Sequence, residues 1–558
     1  MNPCSKCGTP NFHPRVSVKS DDILQQLRSS VGFGDQVHVN SLLHDAEKDL
    51  DDYDTEIARL ETAISILKHK RARLEGHIAR FRSLLSPIRR LPPEILGLIF
   101  LLRCEETGNN FTFAQHYIHL PAVVLSQVCT DWRKVASNTP SIWSNLRFGL
   151  GWEYGQFDDL SNQEFIALIL PLINLCFERS SQVLLDLSVY FWNFWENDGF
   201  ESILKTITST SHRWRSLDLW SQSESGTEVF CSQITELSSL ECFDTDLSTL
   251  ELFLGFSQSL HHAHRLRCLR LGAPDPELVI TKILAFPLAQ ITTLSLSGPR
   301  LRDLLEMLRR CINLSDLVVE NMIDCSHSFE ATPVTLDRLD NLTYKDYQRF
   351  RADALSTSPS SKFFSRVTAP ALKHLTISRL HTEKSESSRP LDVIAEFVTR
   401  SGCSLSSFSI SHTPITDFEC LFLLRLFPGL KELEIKEPAS SGAFFSNIIT
   451  DEFLNELHTT RLTSSLFQDK SKLPCIPKLQ HLSLHVDHSK PGTAPFTPET
   501  LVDMVKSRWI PDAAYSSEVG IACLCSIKLI GDRRAAEETP AYKSLRGLEK
   551  SGLRVEIL

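Results

Sequence analysis

The sequence predicts an α/β chain in three parts: a long N-terminal helix, a small all-α module, and an irregular solenoid of stacked strand–helix units. Three observations carry this. Apolar residues keep a strict seven-residue repeat from Leu43 to Leu85, the period of a coiled-coil helix. Two short apolar helical stretches follow between Leu91 and Trp143. From Leu184 onward a strand-like pattern Leu-x-x-Leu-x-Leu recurs roughly every 23 to 33 residues, with two longer steps, as repeat arrays do.

Residues 1–37 read as a flexible tail. Cys4 and Cys7, with His13 nearby, have the spacing of half a zinc site, but tetrahedral zinc needs four ligands and the next cysteine is Cys104. Metal binding there needs ligands from a distant segment or another chain; two free thiols are the other reading. No cofactor is expected.

Residues 38–86 form the coil. Its a positions are Leu43, Leu50, Ile57, Ile64, Arg71, Ile78 and Leu85, and its d positions Ala46, Tyr53, Leu60, Leu67, Leu74 and Phe81. Pro87 ends it. So narrow a seam needs a partner helix. Asp45 to Glu61 holds eight acidic and two basic residues, and Lys68 to Arg90 eight basic and one acidic. A parallel homodimer would set like charges together. An antiparallel homodimer, or a partner helix laid antiparallel, would not.

Residues 87–148 form the small module. Pro92 and Pro93 suit a first helical turn, and Glu94 suits the positive end of its dipole. Ile95, Ile99 and Leu102 share one face, beside Leu96 and Phe100. A second helix carries Val124, Val128, Trp132 and Ala136, and Asn138-Thr139-Pro140 stops it. About 50 residues cannot bury so much apolar surface alone, so the pair must dock on something.

The residues Leu91-Pro-Pro-Glu-Ile-Leu-x-x-Ile-Phe100, Val128-Cys-x-x-Trp132-Arg and Pro140-x-x-Trp143 resemble an F-box of the form common in mushroom-forming (basidiomycete) fungi. The resemblance implies docking on the Skp adaptor and, through it, membership of a cullin–RING ubiquitin ligase. It implies adaptor contacts from Leu91, Pro92, Pro93, Ile95, Leu96, Ile99, Phe100, Val128, Cys129, Trp132, Pro140 and Trp143. One departure stands out: Phe100 and Val128 lie 28 positions apart, several more than the usual pattern allows. The extra residues, around Arg103 to Asn110, read as a polar loop.

Residues 149–558 form the repeat region, which resembles irregular leucine-rich repeats. Ser161-Asn-Gln-Glu164 reads as a capping box opening an apolar helix to about Phe177. The strand-like triplets end at Val189, Leu219, Thr245, Leu271, Leu296, Val319, Tyr344, Ile377, Ile410, Ile435, Leu484, Leu529 and Ile557. Polar inserts at 356–361, 383–389, 438–442 and 487–497 read as rim loops. In each strand the leucines point to the core, so the residues between them face the other way and line a concave surface. Asp218, Trp220, Arg270, Glu320, Glu432, Glu434, Lys436, His481 and His485 are the substrate-facing candidates, Trp220 foremost as an exposed aromatic.

The net charge of −10 (58 basic minus 68 acidic) argues against bulk nucleic-acid binding. No apolar run is long enough to span a membrane. Fifteen irregularly spaced cysteines and the lack of a signal-like segment after Met1 fit a cytoplasmic or nuclear protein. No catalytic motif is present. His261-His-Ala-His264 and Cys523-Leu-Cys525, the latter on an expected strand, read as a solvated loop and as packing. The expected function is non-catalytic: the substrate-recognition subunit of a Skp–cullin–F-box ligase. The alternative is an F-box-containing scaffold that assembles proteins without directing ubiquitination.

Overall fold

The computed structural model describes residues 14–17, 25, 27, 28, 36–113, 117–151, 159–192, 200–256, 259–272, 287–323, 332–346, 359–378, 391–413, 415–437, 448–459, 474–486, 496–531 and 541–557. The chain divides into two compact units, residues 1–96 and 97–558.

The first unit is dominated by helix α1, Gln36–Leu84. No proline falls within it, and a 3-10 turn at Pro87–Arg90 ends the run. The apolar a and d residues from Leu43 to Leu85, Ala46 apart, are each between 42% and 70% exposed. Of the tail expected to be flexible, described residues Arg15 and Val16 lie against this helix. The backbone N–H groups of Arg15 and Val16 donate to Asp49 Oδ2 at 2.8 and 3.0 Å, and the Arg15 guanidinium bridges Asp49 and Asp52. A carboxylate gathering several donors holds Arg15 and Val16 against the helix. Partial desolvation raises the Asp49 carboxyl, but the N–H of Val16 and the hydrogen bonds of Arg15 outweigh it and hold the group below its usual range. Cys4, Cys7 and His13 lie outside the described residues.

Helix α2, Pro93–Thr107, starts in the first unit and runs into the second. The second unit is organised by a sheet of sixteen strands. Its early strands are β1 (Asn109–Thr112), β2 (Tyr117–His119), β3 (Asn145–Leu150), β4 (Leu185–Phe191), β5 (Trp214–Ser221), β6 (Cys242–Asp246), β7 (Cys268–Gly272), β8 (Thr293–Ser297) and β9 (Asp316–Glu320). After a two-residue strand β10 (Val334–Thr335), β11 is Asn341–Lys345; β10 pairs apart with β12 (Val367–Thr368). Then come β13 (His374–Ser378), β14 (Ser407–Ser411), β15 (Glu432–Lys436), β16 (His481–His485), β17 (Ser526–Ile530) and β18 (Arg554–Ile557).

From β3 onward each strand of the large sheet lies parallel to the next one in sequence. Every triplet expected from the sequence is one of these strands. The leucines line up in register: Leu342, Leu375, Phe408, Leu433, Leu482 and Ile527 succeed one another across six strands. They are buried. Aromatic residues from the returning segments cover this side, as in Phe243 on Phe253 and Tyr344 on Phe364. The result is an irregular leucine-rich-repeat-like α/β solenoid, each unit burying its neighbour's apolar side.

The segment expected to be all-α is not. Instead of a polar loop over Arg103 to Asn110, α2 continues to Thr107, Gly108 turns with φ +65°, and β1 joins the sheet parallel to β3 and antiparallel to β2. At Gly108 a side chain would strike Arg147 and Asn145 at 2.9 Å, so the positive φ and the close approach both call for glycine. Phe111 stacks on Phe148 at 5.3 Å and both are buried. The domain boundary expected near 148 therefore cuts through β3, and residues 97–148 belong to the same compact unit as the repeats.

The expected second helix is two: α3, Pro121–Gln127, and α4, Thr130–Ser137. Cys129 is extended (φ −160°, ψ 173°), and its Sγ accepts from Trp132 N–H at 3.5 Å, capping α4. Helix α5, Asp159–Arg179, starts before Ser161, which is helical and not a cap. Of the polar inserts, Pro359 to Ser361 open a helix (Pro359–Arg366); 383–389 and 438–442 lie outside the described residues. Cys523 and Cys525 precede β17 rather than lying on it.

Candidate docking faces

Two uncovered surfaces of the second unit can engage other molecules, one made by helices and one by the sheet. The helical one starts from α2 and α4. Phe100 sits with its ring centroid 4.8 Å from that of Trp132, and a side chain at Gly97 would meet Thr139 Oγ1 at 3.4 Å. With that side of α2 packed on α4, the opposite side stays in solvent: Leu98, Ile99 and Leu102 are exposed, Leu102 by 67%. Helix α3 adds Val124, 60% exposed, and Val128 ends it, also exposed.

This divides the expected adaptor contacts. Pro92, Pro93, Ile95, Ile99 and Val128 are exposed, and Leu91, Cys129, Trp132 and Pro140 are half-buried. Leu96, Phe100 and Trp143 are buried. Trp143 Nε1 donates to Ala136 O at 2.8 Å, so this tryptophan anchors the module internally. Cys129, expected as apolar contact surface, also caps a helix through its Sγ. Leu98, Leu102 and Val124 join the exposed set. Helical spacing placed Leu102 and Val124 beside the expected contacts; only the packing of α2 adds Leu98.

Asn109 holds this module on the sheet. It is fully buried; its Nδ2 donates to Ile142 O at 2.9 Å and Asn145 O at 3.2 Å, and its Oδ1 accepts from Ala122 N–H at 3.3 Å. One side chain thus joins β1, the start of α3 and the entry to β3. No periodic signal marks it.

The sheet face opposite the leucines is the second surface. All nine substrate-facing candidates lie on it, alternating with buried residues in their strands. They fall into two groups. Near β5, Asp218 accepts from Tyr190 Oη at 2.5 Å and from Trp220 Nε1 at 2.6 Å. Trp220, expected to be exposed, is half-buried: its ring reaches across to Gly272, where a Cβ would come within 2.6 Å. Asp218 and Asp244 are direct register partners, and Arg270 follows, 3.8 Å from the Asp244 carboxylate. Burial, then the negative charge of Asp218, push the Asp244 carboxyl up to about 6 against the pull of Arg270. Cys242 and Cys268 are also register partners; the hydrogen bond between them favours the Cys268 thiolate and raises Cys242.

The second group centres on Glu434. It accepts from Ser409 Oγ at 2.8 Å, pairs with Lys436 Nζ at 3.0 Å, and lies 3.3 Å from His485 Nε2. Burial opposes its charge, but the bonds from Lys436 and Ser409 outweigh it and keep the carboxyl below its usual range. Burial and Lys436 lower His485, despite Glu434. Glu432 and His481 are register partners at the start of the same strands. Glu320 stands between the groups, paired with Lys345 at 3.0 Å. Along the middle register the intervening residues are Ser295, Val318, Thr343, Thr376 and Ser409, all uncharged. Tyr190, Asp244 and Lys345 were missed; the same alternation would have found Tyr190 and Lys345, whereas the strand of Asp244 lacks the final leucine.

Among the described residues no cluster of three or more metal-ligating side chains occurs, and no helix is long and apolar enough to cross a membrane. No family model matches the chain, and no curated protein does. Among solved structures, it is similar to a chain from the crystal structure of the Rad7 and Elc1 complex in yeast, with 13% identity and a TM-score of 0.33 over 76% of this chain and 95% of that one. A likeness of that degree carries no argument about function or partners.

Proposed function

We propose that this chain is the substrate-recognition subunit of a Skp–cullin–F-box ubiquitin ligase. It docks on the Skp adaptor through the helical face of residues 93–128 and holds a protein substrate on the open sheet face. One observation carries the reading: an F-box-like sequence coincides with helices that leave Leu98, Ile99, Leu102, Val124 and Val128 in solvent. Exposed apolar groups on packed helices mark a contact surface. The chain performs no chemistry in this reading. It raises the effective concentration of a substrate lysine near a ubiquitin thioester carried by a recruited enzyme.

The sheet face suits a polar, charge-patterned segment of protein. It offers Asp218, Asp244 and Arg270 at one end and Glu434, Lys436 and His485 at the other, with a hydroxyl-lined stretch between. Such surfaces contribute specificity more than raw affinity.

The test uses purified Skp adaptor and the full chain. Trp132 packs on Phe100, so replacing it would disturb the fold as well as the contact. Leu102→Glu with Val124→Glu touches only exposed positions. The pair should weaken adaptor binding by about 2 kcal/mol or more without shifting the unfolding midpoint. Equal titration curves for wild type and variant would remove this face from the interface. Capture of a ubiquitinated partner through the sheet face, lost on Arg270→Ala with Glu434→Ala, separates the ligase from the scaffold that assembles without ubiquitination.

A further inference from the structure

We infer that α1 is a homodimerisation element: two copies of the chain pair antiparallel through its a/d seam, with Leu50 of each opposite Leu74 of the other. The inference is independent of the ligase reading. It starts from a helix of 49 residues, about 73 Å long, whose apolar seam residues are exposed from Leu43 to Leu85. The arm at Arg15 and Val16 engages Asp49 and Asp52. It leaves Leu50 and Tyr53 exposed, as are the other apolar seam residues apart from Ala46.

The occupant follows from charge. The acidic half, Asp45 to Glu61, and the basic half, Lys68 to Arg90, lie on one helix. Each is the complement of the other only when a second helix of this same pattern runs the opposite way. A two-fold antiparallel pair satisfies both halves twice. Any other partner would have to carry the same charge order reversed along its length.

The register follows from Arg71, the one charged residue in the seam. When the helices overlap over residues 43–81, the a–d layers become Leu43 with Phe81, Leu50 with Leu74, Ile57 with Leu67, Ile64 with Leu60, Arg71 with Tyr53 and Ile78 with Ala46. Arg71 then meets an aromatic ring and a hydroxyl. Sliding by one heptad sets it against Leu60 in one direction and Ala46 in the other, where its charge gains neither ring nor hydroxyl. In the favoured register Asp54 flanks Lys68 and Glu56 flanks Lys70. Each exposed pair contributes little, but the symmetry doubles them.

The first measurement is the mass of the full chain by light scattering across a concentration series. It should approach twice the monomer mass and fall back with added salt; a monomer at every concentration overturns the inference. Two charge reversals then test the occupant. Asp54→Lys with Glu56→Lys, and separately Lys68→Glu with Lys70→Glu, should each weaken dimerisation about tenfold or more, and an equimolar mixture of the two variants should dimerise like wild type. A mixture that stays as weak as its components overturns the antiparallel pairing. Orientation is read by mixing chains carrying Leu50→Cys and Leu74→Cys, oxidising, and identifying the linked peptides by mass spectrometry. A 50–74 link supports the register. A 50–50 or 74–74 link, or neither in a dimeric sample, overturns it.

Discussion

The coil and the repeat region are both written in periodic leucine, and they treat it in opposite ways. In the sheet, Leu342, Leu375 and Leu433 are about as buried as a residue can be; in α1, Leu60 and Leu67 stand 42% and 63% exposed. Period explains the difference. A strand puts every second residue on one side, and the chain returns after each strand to cover that side and lay the next strand in register. The a/d stripe of a long helix runs along one side of it, and no strand-and-return unit follows each turn to cover it. Among the described residues before α1, Arg15 and Val16 bring hydrogen-bond donors to Asp49 and leave the apolar seam residues exposed. Leucine in the repeats therefore stabilises the folded monomer, whereas leucine in α1 is left exposed and would stabilise the inferred antiparallel pair.

The sharpest way to break this comparison is the same deletion in both places. Leu433→Ala should lower the stability of the repeat region by about 2–5 kcal/mol, read by urea denaturation. Leu60→Ala should leave that transition within about 0.5 kcal/mol while weakening self-association. Equal effects would mean that the seam is covered in the monomer.

A smaller effect tests how the helical module joins the sheet. Asn109→Ala leaves the carbonyls of Ile142 and Asn145 and the N–H of Ala122 without their partner. It should cost about 2–3 kcal/mol. Hydrogen exchange should rise first at α3 and β1, because these lose their common link. Uniform exchange across all repeats would show that Asn109 is not the joint.

The smallest effect is electrostatic. The Asp244 carboxyl stands at about 6 in the fold against an ordinary 3.8. A raised acid binds its proton more tightly when folded. Its favourable contribution is therefore present below 3.8 and is lost as pH rises through about 6. Because Asp244 is partly solvated, the loss should be about 1 kcal/mol. Asp244→Asn should flatten that part of the stability–pH curve. An unchanged slope would place Asp218 and Asp244 in better-solvated surroundings than the register implies.

The sequence alone determined the elements whose period is regular. The heptad located α1, and the leucine triplets located thirteen of the sixteen sheet strands and the face presented by Asp218, Arg270, Glu434 and His485. Both periods arise from backbone geometry, which each segment carries within itself. Only the tertiary structure decided the rest. Residues 109–112 are polar and short, and they become a strand because Phe111 finds Phe148 and Asn109 finds three backbone partners. Trp220 lies half-buried because a glycine two strands away leaves room for its ring. Leu96, Phe100 and Trp143 share a pattern with Ile99 and Val128, yet the first three are buried, Phe100 against Trp132 of α4, and the other two are exposed. Which side of an apolar helix meets water depends on residues far away in the chain, and no local period records them.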